Sequence, residues 1–205
     1  MERREFIKKA GIGIGFISSK LGIQGVLAQE KEWDVKSVTT PVIDVHTHLP
    51  PNVKLETIIE NFDKAGVEKA VVMARAGMTA EDTINFYNRY QDRVIPFIPF
   101  QVKGWIRQEP RFINELKSYL DTGKFKGMGE VMLRHYSIQQ RGAREIAIPA
   151  DSPMTRQVLV LGARYNLPIL IHMEAEERTV MELENALNYA PNAVVIWGHS
   201  GRATA

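Results

Sequence analysis

The sequence predicts an α/β fold with a parallel sheet, of the (β/α)8 TIM-barrel type, with about six of the eight strand–helix units present. Three observations carry this. From residue 41 onward, short apolar β-branched runs alternate with segments of helical periodicity, the pattern of strands joined by crossover helices. Four of the five histidines fall at or just after the C-terminal ends of those runs, the face on which a parallel barrel gathers its chemistry. No Gly-rich phosphate fingerprint follows the first run, where a nucleotide-binding open sheet would carry one; a doubly wound open sheet is the alternative.

The strands are predicted at Val42–His46, Ala70–Ala74, Val94–Phe100, Gly127–Leu133, Pro168–His172 and Val194–Trp197. Helices are predicted at Leu55–Ala65, Ala80–Tyr90, Pro110–Leu120, Pro153–Tyr165 and Thr179–Tyr189. Ser152 before Pro153 reads as an N-cap followed by proline at the first helical position. In the last helix, Val180, Leu183, Leu187 and Ala190 share a face at helical spacing, with Glu182 and Glu184 directed to water. A closed barrel needs eight units and ~250 residues. The 205 residues supply six units, so the expectation is a piece of such a barrel, with exposed strand edges that favour aggregation or homo-oligomers.

The chain is 44% hydrophobic and 24% charged with no cysteine and a net charge of +2. This is globular composition, and a disulfide framework is excluded. Residues 1–28 hold five bases (Arg3, Arg4, Lys8, Lys9, Lys20) against two acids, leaving 21 Lys and Arg against 22 Asp and Glu in the rest. The basic balance therefore belongs to the N-terminal segment and gives no support to a nucleic-acid partner. That segment runs from charged residues through a Gly-rich apolar stretch to Val26-Leu27-Ala28. It resembles a twin-arginine export signal, which implies the twin-arginine export machinery as a partner of the precursor and a periplasmic or extracellular location after cleavage near Ala28. Residues 29–40 read as a linker, and residues 41–205 as the barrel domain.

Chemistry concentrates at the strand ends. His46 and His48 are two apart on an extended strand, so they point the same way, together with Asp44. Ile43 and Val45 then point to the opposite face, where helices would cover them. His172 ends the apolar run Pro-Ile-Leu-Ile-His, and His199 follows Val-Val-Ile-Trp-Gly. Glu130 is a carboxylate inside an otherwise apolar strand, where its charge needs a cation or hydrogen-bond donors. Each residue alone fits a satisfied structural role; the set, converging at one barrel face, fits a metal site. His135 reads as a loop or substrate-side residue.

The run Val42-Ile43-Asp44-Val45-His46-Thr47-His48, with Gly129-Glu130, Ile171-His172 and Trp197-Gly198-His199-Ser200-Gly201 in order, resembles the metal-dependent amidohydrolase superfamily. The resemblance is nearest to its amidohydrolase-related branch of hydrolases and nonoxidative decarboxylases. It implies a divalent metal, zinc by preference, as one or two ions. His46 and His48 would hold the first ion, His172 a second ion or the completion of one site, and Glu130 the place of a bridging carboxylate. His199 would be a ligand or the residue that deprotonates water, so His199 and Glu130 are the catalytic candidates. The family's aspartate at the end of strand eight has no counterpart, because the sequence stops before strand seven. Completing the barrel would take roughly 70–100 further residues.

The expected reaction is hydrolysis of a C–N or C–O bond (amide, lactone or ester) by a metal-activated water. A decarboxylase on the same scaffold, or a non-catalytic metal-binding fragment, is the alternative. A nuclease of the deoxyribonuclease branch, which also carries a glutamate on strand four, fits the charge balance less well. The substrate is expected to be a small molecule. A carboxylate on it could be clamped by Arg75 at the end of strand two, or by Arg134 and Arg141 in the long connection after strand four. Lys103 and Trp105 could line the pocket.

Overall fold

The computed structural model describes residues 40–75, 77–100, 103–135 and 145–201. All of them fall in the compact unit Asp34–Ala205; the other unit, Met1–Trp33, lies outside them, and with it the export signal. The helices are α1 (Leu55–Lys64), α2 (Ala80–Arg89), α3 (Lys103–Ile106), α4 (Arg111–Asp121), α5 (Pro153–Tyr165) and α6 (Glu177–Tyr189). Among the described residues none is long and apolar enough to cross a membrane. The strands are β1 (Val42–Leu49), β2 (Val67–Ala74), β3 (Val94–Ile98), β4 (Gly127–His135), β5 (Ile146–Ala147), β6 (Ile169–Met173) and β7 (Val195–Trp197).

The sheet order is β1-β2-β3-β4-β6-β7, all parallel, with β5 pairing antiparallel to the end of β4. Laid flat, six strands would separate β1 from the last by roughly 24 Å, at about 4.8 Å per strand. The His46 ring at one edge and the His199 ring just past the other lie 4.6 Å apart. The sheet is therefore curled into the greater part of a barrel, and this curl makes the site.

The central strands are buried on both faces, as parallel strands require. On β2, Val71 and Met73 pack inward with Phe97 and Leu170, while Ala70 and Val72 pack outward with Ile58, Phe62 and Phe86 of α1 and α2. Burying Ile58 and Phe62 is worth about 1.5–3 kcal/mol each. The helices begin where capping chemistry allows. Thr79 and Asp82 form a reciprocal capping box at α2, and Ser152 Oγ accepts from Thr155 N at 3.2 Å at the start of α5, with Pro153 first in the helix.

Some expectations need correction. Ile43 and Val45 are 50% and 48% exposed: the outer face of β1 is not covered by the described helices. Glu182 does not face open water; its carboxylate accepts from Ala150 N and pairs with Arg178. Trp105 packs rather than lining a pocket. It is fully buried against Phe100 and Phe112 and donates Nε1–H to the Met132 carbonyl at 2.9 Å. The short α3, the β4–β5 hairpin and a 3-10 turn at Gly198–Gly201 carry no strong periodicity and were not predicted.

Candidate metal centre

Two irregularities aim the first donors. Between β1 and β2 the pairing steps from Asp44↔Ala70 to Thr47↔Val72, so β1 carries one extra residue. The Asp44 carboxylate accepts from His46 N and from Thr47 Oγ1, each at 2.8 Å. Asp44 is thus turned onto its own backbone instead of joining the histidines, because the bulge breaks the two-residue period. His46 and His48 remain together, with Nε2 atoms 3.2 Å apart.

A second extra residue lies in β4, where the pairing steps from Met128↔Ile169 to Val131↔Ile171. Gly129 has φ 148°, and a Cβ there would lie 2.7 Å from the Leu170 carbonyl oxygen. Only glycine fits that close approach, and it delivers Glu130 into the barrel. Glu130 is 3% exposed. Its Oε1 lies 2.8 Å from His172 Nδ1, 3.2 Å from His199 Nε2 and 3.3 Å from His46 Nε2; its Oε2 lies 3.1 Å from His48 Nε2. His172 arrives on the fully buried β6. His199 arrives on the 3-10 turn, where it and Ser200 both hold φ 53°, a left-handed conformation costing of order 1–3 kcal/mol per residue.

One carboxylate thus gathers four imidazole nitrogens. Burial pushes the Glu130 pKa up, but the hydrogen bonds from His172, His46 and His48 outweigh it and hold the carboxyl far below the usual carboxylate range. For His172, burial lowers the pKa, yet the Glu130 bond and charge, with Glu174 behind them, leave it raised. For His199, burial leaves the pKa lowered despite Glu130, helped by His172 and His46.

The donor chemistry fits a metal ion. A tetrahedral ion with bonds of about 2.0–2.1 Å holds its donors about 3.3–3.4 Å apart. The His46, His48 and Glu130 donors are 3.1–3.3 Å apart, and those of Glu130, His172 and His199 lie within 4.8 Å of one another. His48 Nδ1 is buried without a hydrogen-bond partner among the described residues, so the ring is oriented for its Nε2 alone.

Of the five residues expected to be ligands, all converge. The arginines do not join them. Arg75 is exposed at the end of β2; Arg134 pairs with Glu145 at 3.0 Å and borders a cleft beside α6; Arg141 lies outside the described residues. His135 is no loop residue: β4 runs two residues further than predicted and ends on it, with its Nδ1 3.2 Å from His172 Nε2. Glu174 was missed. It is 3% exposed and stands two residues beyond His172, and that spacing was the available signal. A roomier cleft of about 470 Å³, lined by Lys117, Arg156 and Tyr189, lies on the helical layer and contains none of the histidines.

Comparisons with known proteins give a family and a fold. The profile of a family described as TatD related DNase matches residues 43–205. No curated protein matches. Among solved structures, 2,6-dihydroxybenzoate decarboxylase from Rhizobium superposes with a TM-score of 0.55 at 13% identity, over 78% of this chain and 67% of that one. An uncharacterized TIM-barrel protein from Bordetella bronchiseptica gives 0.54 at 14% identity, over 76% and 66%. At these identities the likeness is one of fold. The chain spans about two thirds of the length of these structures.

Proposed function

The chain belongs to the TatD related DNase family, within the metal-dependent hydrolase superfamily, and on that premise we propose that it hydrolyses a C–N or C–O bond of a small molecule (an amide, lactone or ester). His46, His48, Glu130, His172 and His199 hold one or two divalent ions, zinc by preference. The observation that carries this reading is the single buried carboxylate contacted by four imidazole nitrogens. A divalent ion bound there would acidify a coordinated water and polarise the bond under attack.

The chain's own residues divide the remaining work. Glu130, bonded on both oxygens, keeps its negative charge and fixes the spacing between the His46–His48 pair and the His172–His199 pair. His199 has the most exposed side chain of the set, 42% against 8% for His172. It is the imidazole a substrate can reach and, where His46, His48, Glu130 and His172 hold the ion and leave His199 Nε2 unbound, the one suited to take a proton from the attacking water there and return it to the leaving group. Arg75, exposed just past the end of β2, is the described candidate to meet a substrate carboxylate.

A second reading has a specific observation behind it: the matched family is named for a DNase, so a phosphodiester is the rival bond. The near-neutral balance of residues 29–205 weighs against a polynucleotide substrate. The test strips the protein with chelator, restores Zn, Mn or Co, and assays lactones, esters, amides, phosphodiesters and hydroxybenzoates. The expected result is metal-dependent turnover of a carboxylic ester, lactone or amide, lost in Glu130→Gln. Preferential phosphodiester cleavage, or release of carbon dioxide from a hydroxybenzoate, would replace the reading.

A further inference from the structure

His172 is shared between two sets of donors. Its Nδ1 meets Glu130 at 2.8 Å. On the other side of the ring, its Nε2 meets His135 Nδ1 at 3.2 Å and Glu174 Oε1 at 3.5 Å, and His135 Nδ1 lies 3.5 Å from the same Glu174 oxygen. Of these three residues only His172 also belongs to a donor group that contains Glu130. We propose that His135, His172 and Glu174 form a further divalent-cation site of the two-imidazole, one-carboxylate type, joined to the Glu130-centred donors through the His172 ring.

Three features support it. The mutual spacing of 3.2–3.5 Å brackets the roughly 3.3–3.4 Å between donors of a tetrahedral ion. Two imidazoles and one glutamate, with the fourth position open, are a set that binds borderline ions such as Zn or Co. The donors are also held in advance. Thr179 Oγ1 donates to the Glu174 carbonyl at 2.8 Å, Trp197 Nε1 donates to the Met173 carbonyl at 2.7 Å, and the β4–β5 hairpin pairs His135 with Ile146. The Glu174 and His172 side chains are 4% and 8% exposed while His135 is 19% exposed, so solvent reaches the site from the His135 side.

His172 need not turn to serve both sites. Metal on both nitrogens requires the ring to release its remaining proton to solvent, and Glu130 on one side and Glu174 on the other balance the added charge. The inference rests on the metal reading of the Glu130 group only through the shared ring.

The experiment titrates the metal-free full chain with cobalt(II) and counts bound equivalents by elemental analysis after gel filtration. The parent is compared with Glu174→Gln, His135→Asn and Glu130→Gln, each checked for fold by circular dichroism. The expected result is one equivalent fewer in Glu174→Gln and in His135→Asn, and retention of that equivalent in Glu130→Gln. Parent-like counts in the first two would overturn the site and leave His135 and Glu174 as hydrogen-bonding supports of His172. A Glu130→Gln protein that keeps every equivalent would count against the proposed function, not against this site. If Glu174→Gln fails to fold, His135→Asn decides, since it alters the solvent-reached end of β4.

Discussion

Glu130 and His172 set each other's protonation. Burial alone would lower the His172 pKa, and it is raised because Glu130, with Glu174, favours the charged ring. In the metal-free chain, Glu130→Gln should therefore bring the His172 titration down toward or below the ordinary value of about 6.5, as read from imidazole NMR shifts. An unchanged titration would mean the pair is not formed in solution. Because the folded pKa lies above the unfolded one, the contribution of His172 to metal-free stability is fully present below pH ~6.5 and is lost as pH rises through the raised value. Metal binding must displace that proton, so affinity measured by chelator competition should fall as the pH drops through the same range. The Glu130, His46, His48, His172 and His199 set was legible in the sequence because charge in an apolar strand and a two-residue histidine spacing are both local signals. The β1 bulge that turns Asp44 away from the histidines leaves no mark on composition, whereas Glu174 carries a local signal, its two-residue spacing from His172.

At the scale of the elements, the site depends on two strands that deviate from regularity, β1 between Asp44 and Thr47 and β4 at Gly129. Gly129→Ala would place a methyl 2.7 Å from the Leu170 carbonyl at a φ of 148°. It should destabilise the chain by about 2–4 kcal/mol and lower metal content together with stability, measured by denaturant unfolding and elemental analysis. Trp105→Phe keeps most of the aromatic packing but leaves the Met132 carbonyl without its Nε1–H donor. It should cost about 1–3 kcal/mol in the same unfolding assay, with metal content unchanged. The positions of the six long strands and of the helices that cover them followed from periodicity, since two-sided burial writes continuous apolar runs. The strand ends did not: β1 and β4 extend past their predicted limits through His48 and His135, where polar ligands replace the apolar residues that mark a strand.

For the molecule as a whole, convergence of donors from β1, β4, β6 and the turn after β7 means that metal binding and folding are linked. An ion that binds only the curled sheet should raise stability by about 2.7 kcal/mol at a hundredfold excess over its Kd. Calorimetry with and without chelator reads this as a rise in Tm on metal addition; an unmoved Tm would separate the site from the fold. The export proposal belongs at this scale too. Replacing Arg3 and Arg4 by lysine should hold the precursor in the cytoplasm, as fractionation would show, and efficient export of that variant by the folded-protein route would refute it. The central claim is that Glu130 is the carboxylate around which metal gathers. Anomalous diffraction at the zinc edge, from crystals of the zinc-loaded chain, tests it most directly. The account predicts a peak within bonding distance of the Glu130 carboxylate and of at least two of His46, His48, His172 and His199. Well-ordered crystals with full zinc loading and every anomalous peak elsewhere would contradict it.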